Sequence, residues 1–561
     1  MRSSLLSALS WLTQFSAAQF HVDLINRISV VKTTYGTVFT NNITDTKISV
    51  FKGIPYGRPP IGDLRWRSPL PPNPWLHPIN TTTSATACWG FIGANTTATT
   101  SEDCLFLNVW TPAQSDTNRL PVMVWVHGGG FNFDSGLNPL FDGVQLCRKG
   151  VIVVAINYRL GNFGFLAHPA LDAEDSVGNS GNFGIQDIML ALHWVRRNID
   201  AFGGDSHNVM LFGESAGAHA LGPLMASPLN TNLFDKVMCS SGSFWDSEHG
   251  SMENFDQSRQ RGIDWATSVA GPHTSIAELR ALPAYVVQNT SMWSGLDPSV
   301  TSFSANVDNY VIPQVPAAVF ATGKQAKIPF LSGFNAREDT AFQQRGFDHS
   351  SAAAFNERVF TWLNMSGNPE AMIRAGLDKY FPATSDSQAN ESSNLLIGDV
   401  VIREQTWEAA DLHEKTTGQP TWLYIFNFTS EFSPMPGHGQ DMPFDFGNLK
   451  PFGFTSANVQ PGPDDKKMAE YMTTYFTNFA KTSNPNKPDN LGGSLPIWPA
   501  YKSSGGHSTV AEESCGPKKK CIFELASPPS TQTFDYGRFQ FIQEFRSNGA
   551  FPADWHNFTV T

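Results

Sequence analysis

Asn208-Val209-Met210-Leu211-Phe212-Gly213-Glu214-Ser215-Ala216-Gly217-Ala218 joins a continuous apolar run to a stretch of small residues through Gly-x-Ser-x-Gly. The run reads as a buried strand and the small residues as the start of a helix. Ser215 then sits on a sharp strand-to-helix turn that lifts its hydroxyl clear of the backbone. Glycines flank it because such a turn leaves no room for side chains against the neighbouring strand and helix. Five residues match by chance too often to decide anything alone, so the weight lies in the strand before them and the small residues after.

Outward from that turn, short apolar runs alternate with helical periodicity from Ile28 onward, which predicts an α/β fold. Strands are predicted at Phe106 to Trp110, Val122 to Val126, Val151 to Ile156, Val209 to Phe212, Lys236 to Cys239, Ile328 to Leu331 and Trp422 to Phe426. Several are apolar throughout, as in strands covered on both faces, so the sheet is expected to be large and mostly parallel. Ile185, Ile188, Met189, Leu192, Val195 and Ile199 recur at helical spacing. The stretches from about 246 to 326 and from about 343 to 418 read as helical insertions over the active site of a single catalytic domain spanning residues 19–561.

A serine hydroxyl at its free pKa is a poor nucleophile, so the turn calls for a base, a group to orient that base, and donors for an oxyanion. Val124-Trp125-Val126-His127-Gly128-Gly129-Gly130-Phe131 follows a strand with a glycine run. The N–H groups of Gly129 and Gly130, with that of Ala216, are expected to form the oxyanion hole.

Hydrophobic residues make up 41% and charged residues 16% of the 561, a globular balance. The formal charge of -12 argues against nucleic acid or an anionic membrane as partner. Arg2, the apolar Leu5 to Phe15 and Ser16-Ala17-Ala18 have the layout of a secretory signal peptide, residues 1–18, predicting a secreted protein. No later run reaches the roughly 18 apolar residues of a membrane span, and the C-terminus lacks a lipid-anchor signal, so no stable membrane anchor is expected. Sequons at Asn42, Asn80, Asn95, Asn289, Asn364, Asn390 and Asn557 are glycosylation candidates; the one at Asn427 is set aside because Thr421 to Phe428 reads as a core strand. Of six cysteines, Cys88 with Cys104 and Cys515 with Cys521 are expected to form local disulfides, while Cys147 and Cys239 sit by apolar runs as buried thiols. No Cys or His cluster has zinc-site spacing, and no metal is expected.

Together with these motifs, Phe51-Lys52-Gly53-Ile54-Pro55-Tyr56, Glu102-Asp103-Cys104-Leu105-Phe106-Leu107-Asn108-Val109, Asn157-Tyr158-Arg159-Leu160 and Asn198-Ile199-Asp200-Ala201-Phe202-Gly203-Gly204-Asp205 resemble the type-B carboxylesterase/lipase family, which includes cholinesterases and secreted fungal esterases. The resemblance implies an α/β-hydrolase fold and locates two further residues that spacing alone does not. Gly333-Phe334-Asn335-Ala336-Arg337-Glu338-Asp339-Thr340-Ala341-Phe342 is similar to the family's acid segment, usually Gly-x-Asn-x-Asp-Glu-Gly-x-x-Phe, and gives Glu338 the acid role. Arg337 stands where Asp is usual and Asp339 where Gly is usual, which makes Asp339 a rival carboxylate. His438-Gly439-Gln440-Asp441-Met442-Pro443-Phe444-Asp445-Phe446-Gly447 is similar to the histidine segment and gives His438 the role of general base.

The implied activity is carboxylic ester hydrolysis through an acyl-enzyme on Ser215, with no cofactor and an ester as the small-molecule partner; oligomeric state is left open. Activity is expected to fall below about pH 6, where an ordinary histidine protonates. Small or medium soluble esters are the expected substrates. The Cys88 to Cys104 loop is short and polar for a lipase flap, and Trp89 and Phe91 do not match the cholinesterase tryptophan. Two other readings of the sequence stand beside this one: acyl transfer or lactone chemistry in a biosynthetic pathway, and a non-catalytic binding protein.

Overall fold

Runs of valine, isoleucine and aromatic residues assemble a ten-stranded sheet. The structure, a computed structural model, describes residues 28–83, 85–90, 99–244, 252–288, 303–341, 350–364, 368–455, 457–503 and 521–547. The signal peptide, Phe91, Asn95, Asn289, Asn557, Cys515 and the side chain of Cys521 lie outside the described residues.

In chain order the strands are β1 Ser49–Pro55, β2 Phe106–Thr111, β3 Leu120–Val126, β4 Ile152–Ile156, β5 Gly204–Glu214, β6 Lys236–Ser240, β7 Phe330–Asn335, β8 Thr421–Phe426, β9 Cys521–Leu525 and β10 Ser530–Thr533. They lie side by side as β10-β9-β8-β7-β6-β5-β3-β4-β2-β1. From β4 through β3, β5, β6, β7 and β8 to β9 every pairing is parallel. At the edges β2 pairs antiparallel with β4 and β1, and β10 antiparallel with β9. All seven predicted strands form, with β5 extended at both ends and β7 starting at Phe330. The outer strands β1, β9 and β10 escaped the sequence reading.

Alternation along β3 shows how the sheet makes its cores. Val122, Val124 and Val126 enter one hydrophobic cluster, while Met123 and Trp125 enter another. Helix α1, Phe183–Asn198, and the 3₁₀ turn Ile199–Phe202 that follows it bury the whole predicted stripe against the first cluster. Helix α2, Ala216–Ala226, begins directly after Ser215. Within the two predicted insertions lie helices such as Phe255–Ala270 and Ala352–Asn364. The second stretch ends in helix α3, Glu404–Thr417, which connects neighbouring strands β7 and β8 and meets the sheet where Ser332 Oγ donates to Thr406 O at 3.4 Å.

Because the central strands are parallel, their carboxyl ends share one edge. Val126 leads there into the glycine run, Glu214 into Ser215, Ser240 into Ser241, Asn335 toward Glu338 and Phe426 toward His438.

The Cys88–Cys104 disulfide is present, and Cys147 and Cys239 are buried thiols, with burial pushing Cys239 up to about 12. Among the sequons, Asn80, Asn364 and Asn390 are exposed and Asn42 is half-buried. The reason for setting Asn427 aside does not hold: β8 stops at Phe426, and Asn427 is exposed, its amide donating to Glu524 Oε1 at 2.7 Å. No helix among the described residues is long and apolar enough to cross a membrane.

Candidate active site

Ser215 has φ 53° and ψ -127°, a conformation that costs a non-glycine residue about 1–3 kcal/mol and persists only when neighbours hold it. Two backbone bonds do so: Ser215 N donates to Ser240 O at 3.0 Å, and His219 N donates to Ser215 O at 2.8 Å. The glycine two residues on is obligatory, since a Cβ at Gly217 would stand 2.1 Å from Val126 O.

The glycine run lies against this turn. A Cβ at Gly128 would fall 3.1 Å from Ser215 Cβ. Gly129 and Gly130 take φ values of 93° and 59°, which turns the chain so that Asn132 N and Phe133 N both donate to Gly129 O. Ala216 opens α2, and a first-turn N–H has no acceptor within its own helix. The glycine run thus lies against the serine turn through Gly128, and Ala216 follows the serine directly. His127, just before the glycine run, stacks on Tyr158 at 4.5 Å, and burial lowers its pKa to about 4.

His438 and Glu338 come to the same edge. His438 Nε2 lies 2.8 Å from Ser215 Oγ, and Nδ1 lies 2.6 Å from Glu338 Oε2. Glu338 is fully buried, and its other oxygen accepts from Ser241 Oγ at 2.7 Å and Asn335 N at 2.6 Å. Three donors on one carboxylate fix its orientation. The rival Asp339 turns elsewhere: Arg337 Nε and Nη2 donate to its two oxygens at 2.9 and 2.8 Å.

Sequence reasoning gave no role to Ser241, Asn335 or Asp441. Asn335 Nδ2 donates to Gly437 O at 2.6 Å and to Asp441 Oδ1 at 3.0 Å, tying the acid strand to the histidine loop. Both residues stand in motif segments, so their types were visible while their partners were not. Ser241 follows β6 in no motif at all.

Glu214 was read only as the variable residue of the serine motif. It is buried, with Oε1 at 3.4 Å from His438 Nε2. Burial raises its pKa, opposed by His438 and reinforced by Asp441, Glu338 and Asp134. For His438, burial disfavours the imidazolium, but the carboxylates of Glu214 and Glu338 outweigh it and raise the pKa above 6.5. Imidazole and Glu214 thus titrate as a pair. Two neighbouring carboxylates favour the proton on the ring, so the ionisation of His438 is expected above that of an ordinary histidine.

The model of the carboxylesterase family matches residues 27–524. Among curated proteins, the chain is 35% identical to a fumonisin B1 esterase of Sphingopyxis macrogoltabida, covering 84% of this chain and 86% of that protein. It is 32% identical to the para-nitrobenzyl esterase of Bacillus subtilis (strain 168), covering 84% and 92%, and 30% identical to a liver carboxylesterase of Sus scrofa, covering 84% and 87%. Among solved structures it is similar to a carboxylesterase of Geobacillus stearothermophilus, with a TM-score of 0.75 and 27% identity over 92% of this chain and 100% of that one.

Proposed function

The chain belongs to the carboxylesterase family and is a carboxylic ester hydrolase of the α/β-hydrolase fold, and from that premise we propose that Ser215 is its nucleophile, His438 its general base and Glu338 the acid that orients the base. The observation that carries this assignment is the continuous relay from Ser215 Oγ through His438 to the buried Glu338, at 2.8 and 2.6 Å.

Glu338 accepts the Nδ1–H of the neutral imidazole, which leaves the Nε2 lone pair facing the serine. As Ser215 Oγ attacks the ester carbonyl, Nε2 takes its proton. The carbonyl oxygen becomes an oxyanion opposite the N–H groups of Gly129, Gly130 and Ala216. Collapse returns the proton to the departing alcohol, and water then repeats the sequence on the acyl-enzyme. The test is turnover of p-nitrophenyl esters graded by acyl length, run beside Ser215→Ala. Hydrolysis by the wild type alone supports the reading. Transfer to an added alcohol in preference to water would favour the acyltransferase alternative.

Small to medium soluble esters are the proposed substrates. In support, Trp89 is half-buried and packed against the hydrophobic core beside the Cys88–Cys104 bridge. Preference for emulsified long-chain triglyceride or for butyrylcholine over a soluble butyrate ester would refute this. Export is proposed from the N-terminal layout and the exposed sequons; a mature protein that begins before Gln19 and shows no mass loss on deglycosylation would contradict it.

A further inference from the structure

The base and its acid arrive on separate segments, and hydrogen bonds outside the relay join these segments, the Asn335 to Asp441 bond and three more. Arg337 N donates to Pro436 O at 3.0 Å, Asn335 Nδ2 donates to Gly437 O at 2.6 Å, and His438 N donates to Thr340 Oγ1 at 2.9 Å. The last reaches the main chain of the histidine itself. Thr340 stands two residues after Glu338 in the single 3₁₀ turn Glu338–Ala341. Its hydroxyl proton is committed, since Oγ1 donates to Arg337 O at 3.0 Å, and this leaves a lone pair directed at His438 N–H. Arg337 is in turn pinned by its side-chain pair with Asp339, so the platform carrying the hydroxyl is itself braced.

We propose that Thr340 is a positioning residue: its hydroxyl fixes the backbone of His438 to the turn that carries Glu338, and so sets the imidazole against Glu338 and Ser215 together. The proposal rests on the assignment of those three residues. A group that both accepts and donates is required, which a threonine or serine hydroxyl supplies and a valine of the same shape does not. Branching at Cβ restricts χ1, so threonine holds the hydroxyl in place with less entropy to lose than serine.

The experiment compares wild type with Thr340→Val and Thr340→Ser in kcat, KM, the pH profile of kcat/KM and the rate of fluorophosphonate labelling. Valine leaves His438 N–H without this acceptor. A small displacement of the ring is expected to lower kcat and labelling about ten-fold to a hundred-fold with KM within about two-fold. The apparent ionisation should also fall toward that of an ordinary histidine as the Nδ1 bond to Glu338 loosens. Serine should restore all three to within about three-fold of wild type. A valine variant that matches wild type in kcat and ionisation overturns the proposal, as does a serine variant no better than valine. Should valine prevent folding, Thr340→Ala read against Thr340→Ser decides by the same criteria. If wild type itself is not labelled at Ser215, the underlying assignment has failed instead.

Discussion

The two halves of the active site are built by different physics. On the serine side, Ser215, Gly129, Gly130 and Ala216 are placed by backbone conformation: positive φ angles, a strand running straight into a helix, and glycines where a Cβ would collide with Phe133 O or Val126 O. On the acid side, Glu338 and His438 are placed by side-chain hydrogen bonds between segments 100 residues apart, through Asn335, Thr340 and Ser241. The first kind of geometry is written in contiguous residues. The second exists only after the sheet has brought distant strands together.

The contrast predicts how each half breaks. Removing the base should be the most damaging: His438→Ala is expected to lower kcat by about 10⁴-fold to 10⁶-fold, because members of such a relay act as a unit, while the fold persists. Steady-state turnover of a p-nitrophenyl ester checks this, and retention of more than about a tenth of wild-type kcat would be incompatible with the role. Gly129→Ala tests the backbone half. A Cβ there would lie 2.2 Å from Phe133 O at φ 93°, so the loop must shift and its donors with it. A loss of about 10²-fold to 10³-fold in kcat is expected, with Ser215 still in place. Unchanged turnover would remove Gly129 from the oxyanion hole.

A subtler effect belongs to the junction of the halves. Glu214, on the serine motif, raises the pKa of His438, on the other side. Only neutral imidazole accepts the serine proton, so kcat/KM should decline as pH falls through an apparent ionisation above 6.5. Glu214→Gln removes one carboxylate and should move that decline to lower pH, making the variant relatively more active in acid. A profile identical to wild type would show that Glu214 does not act on the base. Smallest in its effect on turnover is the disulfide: replacing both Cys88 and Cys104 by Ser should cost about 3 kcal/mol in denaturant unfolding and change kcat within about three-fold. A larger kinetic than thermodynamic effect would mean that the bridge shapes the site.

Legibility in the sequence follows the same division. The seven predicted strands, helix α1, the serine turn and the glycine run were all readable, because burial on both faces and tight turns constrain adjacent residues. Edge strands such as Ser49–Pro55 and Ser530–Thr533 were not, since Lys52 and Gly53 interrupt the apolar run of the first and the second is polar throughout. Glu338 and His438 came only through the family resemblance. Ser241 gave no signal, because a serine after a strand is common and its partner lies 97 residues away. Glu214 was in plain view, but its closeness to His438 Nε2 depends on a contact across more than 200 residues. Asn427 misled for a local reason: the apolar run continues past the end of β8 into Phe428, and the chain turns the asparagine outward between two buried phenylalanines.

The proposed mechanism depends on Ser215 being the residue that attacks. Peptide mapping by mass spectrometry after brief exposure to a fluorophosphonate tests this most directly. The predicted result is a single adduct on the peptide containing Ser215, formed in step with loss of esterase activity and slowed sharply by His438→Ala. An adduct on another serine, or full inactivation with Ser215 unmodified, would contradict the account.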